Sequence, residues 1–124
     1  MKTIENNKII AEFLSVKIHP CETIENFKFL PIEERGLYNG YFIDELKYHE
    51  DWNWLMEVVE KIESIEYGIY QVDILQEGCK ILERCRLLID NRVSKLESDT
   101  TKIESVYLAC VEFIKWYNNK NKVS

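Results

Sequence analysis

Apolar positions in this chain follow one period in some stretches and another in others, and each period predicts its own element. Over Thr3 to Val16, Ile9, Ile10, Phe13 and Leu14 fall at the offsets of a single helical stripe, which predicts a first helix over about 3–16. His19-Pro20 stops it, because the residue before a proline avoids the helical region. Residues 21–40 keep no period and carry Pro31, Gly36 and the turn dipeptide Asn39-Gly40, so irregular chain and a turn are expected. Thr23-Ile24-Glu25-Asn26 repeats Thr3-Ile4-Glu5-Asn6, but the match fades on both sides and reads as chance. Tyr41 to Leu46 is short, aromatic and β-branched, and predicts a strand over about 41–46.

The next stretch, Tyr48 to Ser64, reads YHEDWNWLMEVVEKIES. Asp51 is placed to accept the free N–H groups of a first helical turn, and Leu55, Val58, Val59 and Ile62 then recur at three- and four-residue steps. A second helix over about 52–64 follows, with Trp52 and Trp54 at the two edges of its stripe. Both indoles are expected to be mostly core, with their N–H edges near the surface. From Tyr67 to Leu75 the period drops to two, with Tyr70, Val72 and Ile74 on one side and Gln71 and Asp73 on the other, predicting a strand over about 69–75. Gln76-Glu77-Gly78 reads as a turn with its glycine in a left-handed conformation.

Residues 79–90 fit two templates. Ile81, Leu82, Cys85, Leu88 and Ile89 satisfy a helical stripe, but Leu87-Leu88-Ile89 before Asp90-Asn91 looks like a strand and turn, so strands over about 79–84 and 86–90 are expected. Thr101-Lys102-Ile103-Glu104 has the form of a capping box, and Ile103, Val106, Tyr107, Cys110, Phe113, Ile114 and Tyr117 follow at helical offsets. This predicts a helix over about 102–118, with Leu108 and Trp116 off its apolar face. An exposed Leu108–Trp116 pair would suit a two-fold contact, so a homodimer through this helix is expected. The predicted fold class is α+β, three main helices with a short antiparallel sheet.

Composition narrows the class. At 124 residues the chain has the length of one small domain, and 46% hydrophobic with 31% charged residues suits an ordered globular protein. The formal charge of −6 leaves no basic face for duplex nucleic acid beyond the short group Lys115, Lys120 and Lys122. No apolar run nears the ~20 residues that span a bilayer, and Glu5, Lys8 and Glu12 interrupt any signal-like start, so no membrane association and a cytosolic location are expected.

Candidate chemistry is sparse. Cys21, Cys79, Cys85 and Cys110 form no CxxC pair and read as reduced, slowly reacting thiols, with Cys110 central in an apolar stripe. A zinc set of His19, Cys21, Cys79 and Cys85 lacks the usual ligand spacing, and Asp44, Glu45, Glu50 and Asp51 read as a solvated helix start more readily than a cation site. No phosphate-binding glycine loop, GxSxG elbow or HExxH is present, so no metal, no cofactor and no catalytic residue are assigned and a non-enzymatic role is expected. The residues that stand out for ligand or partner binding are Tyr48, His49, Trp52, Trp54, Leu108 and Trp116.

Two segments also carry a resemblance. Trp52-Asn53-Trp54-Leu55-Met56-Glu57-Val58-Val59-Glu60-Lys61-Ile62, led by Leu46-Lys47-Tyr48-His49, and the run from Lys102 to Asn118 resemble the signature segments of a family of small uncharacterised proteins of Bacteroidetes phages and prophages. The rest of the chain matches that family only loosely. The resemblance implies a mobile-element origin and short strands between helices, and brings no activity with it. Together these readings favour an acidic phage accessory protein that binds a host protein in the host cytosol, with blunting of a defence system as a natural role. The alternative is a nucleotide-like ligand binder in which Trp52, Trp54 and Tyr48 stack a base.

Overall fold

A computed structural model describes residues 2–16, 41–76, 78–92 and 102–122. The chain divides into two compact units, Met1–Lys47 and Tyr48–Ser124. Among the described residues the class is α+β, with three α-helices and one three-stranded antiparallel sheet.

In the first unit, helix α1 spans Lys2–Phe13 and packs on a 3-10 turn at Ile43–Glu45. Its buried positions are Asn7, Ile10 and Ala11, and Asn7 is satisfied by donating from Nδ2 to the Leu46 carbonyl at 3.2 Å. Helix α1 stops sooner than the stripe predicts. Ser15 takes a left-handed φ of 60°, Val16 N–H donates to Ala11 O at 2.8 Å and Ser15 N–H to Glu12 O at 3.2 Å. That is the Schellman pattern, with serine where glycine is usual, and it ends the helix ahead of the His19-Pro20 break, which lies outside the described residues with 21–40. The strand expected over 41–46 is corrected: Ile43–Glu45 is a 3-10 turn, and its Ile43 and nearby Leu46 are buried at a three-residue step rather than in alternation.

The second unit holds the sheet. Helix α2 spans Trp52–Ser64, as its stripe predicts, and buries Leu55, Val58, Val59 and Ile62. Asp51, extended at φ −122°, accepts from Asn53 N–H at 2.8 Å and caps it. At the other end Ile65 N–H donates to Lys61 O, and the chain turns through Glu66, Tyr67 and Gly68, all at positive φ, into strand β1, Tyr70–Leu75. Strand β2, Gly78–Glu83, pairs with β1 and then with β3, Arg86–Arg92, in the order β1-β2-β3. So residues 79–90 are strands. Gly78 pairs with Leu75 and has φ 154°, so the left-handed glycine expected in that turn is corrected to one that opens a strand. Arg84 and Cys85 join β2 to β3 with φ 47° and 75°, the two positive values of a type I′ hairpin turn.

Opposed residues of the ladder share a face. Tyr70, Val72, Cys79 and Ile81 are buried on the helical side, where α2 packs on β1 and helix α3, Lys102–Lys122, packs on β2 and β3. Gln71, Leu82 and Leu87 form a row on the other face, beside Asp73, Lys80 and Asp90. The register steps from Ile81 opposite Ile89 to Leu82 opposite Leu87, leaving Leu88 as a bulge. Helix α3 runs further than its apolar stripe predicts, to Lys122, and is more deeply set: Ser105, Ala109 and Val111 are buried alongside Val106, Tyr107, Cys110, Phe113 and Ile114. Asn91 Nδ2 donates to the Ser105 carbonyl at 2.9 Å and ties β3 to the first turn of α3, while the Thr101 capping box lies outside the described residues.

Candidate functional site

The exposed flank of α2 is the candidate site. One helical step turns a side chain by about 100°, so Leu55, Val58, Val59 and Ile62 share a face, with Trp52 at its margin beside Val59 and Met56 further round. Trp52 is 39% exposed and Met56 37%, one turn apart on the same ridge, and Glu60 continues that ridge. Asn53, Glu57 and Glu60 are exposed beside them. Glu63 lies on the same flank and its Oε2 accepts from Val72 N–H at 3.2 Å, occupying a donor of the edge strand β1. Trp52 is covered over most of its area but, at 39%, is more exposed than half-buried Trp54. As the first residue of α2 it has no preceding turn to cover it, and its direction falls at the margin of the buried stripe.

The other residues singled out from the sequence divide sharply. Tyr48 is 1% exposed and meets the ring of half-buried Trp54 edge to face at 5.1 Å, so both serve packing. Trp52, Trp54 and Tyr48 therefore do not assemble into the base-stacking surface of the alternative reading. Half-buried His49 lies 6.1 Å from the Tyr107 ring and 3.7 Å from a Glu50 carboxylate oxygen, at the surface. Trp116 is half-buried against Tyr70 at 6.1 Å and Phe113 at 5.8 Å, with the Lys120 ammonium 5.2 Å from its ring. Leu108 is half-buried too. Trp116 and Leu108 thus sit partly covered at the edge of the apolar face of α3.

Sequence reasoning did not single out the exposed side chains Ile4, Tyr41, Leu75 and Leu87, nor Met56 and Tyr67 beside the flank and end of α2. Met56 fits the α2 pattern as a stripe neighbour, yet it sits outside. Tyr67 is fully exposed, at 104%, because Glu66 and Tyr67 both adopt left-handed φ, 49° and 58°, and swing the ring off the end of α2. Tyr117 holds this turn by donating from its hydroxyl to Glu66 Oε1 at 2.9 Å, and burial with that carboxylate raises its pKa.

Among the described residues no three His, Cys, Asp or Glu side chains gather as a metal site, and Asp51 is engaged as a cap. Cys79 and Cys110 are buried; burial pushes the Cys79 thiol to about 12 and Cys110 further up, so both stay protonated. Cys85 is exposed in the β2–β3 turn, which corrects the expectation that every cysteine is shielded; Cys21 and His19 lie outside the described residues. No helix among the described residues is long and apolar enough to cross a membrane. Compared with protein families, curated proteins and solved structures, the chain matches none.

Proposed function

We propose that this chain is a non-enzymatic accessory protein of a phage or other mobile element that binds a host protein, with a host defence component as the target class. The observation that carries the binding part is the exposed Trp52–Met56 pair on α2. Trp52 and Met56, 39% and 37% exposed and one turn apart, leave apolar surface uncovered beside the buried stripe of Leu55, Val58, Val59 and Ile62. Tryptophan is also among the residues that contribute most at protein interfaces. The mobile-element part rests on the resemblance of the two helical segments and on nothing in the geometry.

Capture from the producing cell tests the binding part. Wild-type protein should retain a host protein that Trp52→Ala with Met56→Ala loses, while Leu87→Ala, on the exposed opposite side of the sheet, keeps it. Equal capture by all three would end the assignment of this surface, and a nucleotide that raises the melting temperature in place of any protein would favour the small-ligand reading.

A further inference from the structure

We infer that the exposed flank of α2 docks a basic, amphipathic helical segment of its partner, an inference that rests on the protein-binding reading above. Two independent features of the flank define the occupant. The first is apolar spacing: Trp52 and Met56 lie ~6 Å apart along the helix axis, which matches apolar side chains one turn apart on a second helix. The second is charge. Glu57, Glu60 and Glu63 are exposed on or beside that ridge, and Lys61 is the one basic residue of α2.

A partner bringing lysines or arginines beside its apolar residues gains attraction along the whole flank. An acidic or neutral one meets carboxylates that lose water without a counter-charge. The chain is acidic overall, with a formal charge of −6, so a cationic segment is also drawn in from a distance. Glu63 is held by the Val72 N–H, which keeps one carboxylate fixed at the border of the flank rather than free to swing away.

The test uses a labelled synthetic helical peptide of leucine and lysine, and its leucine and glutamate counterpart, with binding read by fluorescence anisotropy. The protein should bind the lysine peptide and not the glutamate one. Trp52→Ala with Met56→Ala should weaken binding tenfold or more, and Glu60→Lys fivefold or more. Asp90→Lys makes the same change of charge on β3, the strand furthest from the α2-bearing edge of the sheet, and should weaken it less than twofold. Equal losses for Glu60→Lys and Asp90→Lys would mean that net charge alone attracts the peptide, and would overturn the inference. So would absence of lysine-peptide binding while host-protein capture still depends on Trp52 and Met56; in that case the protein-binding reading stands and only the partner class falls.

Discussion

Trp52 and Trp54 stand two residues apart and meet opposite fates, because two helical steps rotate a side chain by about 200°. Trp54 packs its edge against Tyr48, whereas Trp52 opens to solvent beside Met56. The cysteines divide in the same way. Cys79 and Cys110 lie in the contact of β2 with α3, and Cys85 stands in a tight exposed turn. Because folding raises the two buried thiols above the ordinary 9.0, the folded chain keeps protons there that the unfolded chain sheds as pH climbs past 9. Their contribution to stability is thus whole below pH 9 and declines as pH rises toward the folded values. Alkylation at pH 8 followed by peptide mapping should mark Cys85 first and Cys79 and Cys110 only on unfolding, and the melting temperature should fall between pH 9 and about 10.5. Labelling of Cys110 as fast as Cys85 would contradict this placement.

At the scale of elements, α2 separates fold from function along its own length. Leu55→Ala removes a fully buried side chain and should cost about 2–5 kcal/mol, whereas Trp52→Ala with Met56→Ala, at positions 39% and 37% exposed, should cost less for each side chain removed, about 1 kcal/mol apiece. Thermal melting of the two variants checks that contrast; a double variant that loses as much per side chain as Leu55→Ala would make the flank structural. How legible each element was follows from how its signals agree. In α2 the Asp51 cap and the four-residue stripe point to the same boundaries, and the structure keeps them. Tyr41–Leu46 carries strand-like residues, but strand preference is readily overridden by packing, and Ile43–Glu45 instead forms the 3-10 turn against α1. The last turn of α3, Asn118 to Lys122, has no apolar residue to mark it, so the stripe ends before the helix does. Of the candidate site, Trp52 was visible as a residue but not as a surface, since a stripe's margin and its outside are one helical step apart.

At the scale of the molecule, the positions where local rules are broken are informative. Ser15, Glu66, Tyr67, Arg84 and Cys85 take left-handed backbone that glycine accommodates more easily, and each lies at a helix end or a strand turn where the direction of the chain reverses or an element stops. The α2 flank breaks a different rule, apolar exposure, and it does so beside the acidic residues of the same helix. The claim that this flank is where a partner sits is tested most directly by a photo-crosslinking side chain placed at position 56 in the producing cell. The account predicts one protein adduct at that position, abolished by Trp52→Ala, and none when the same group replaces Leu87. Adducts of equal yield at both positions, or none at position 56, would contradict it.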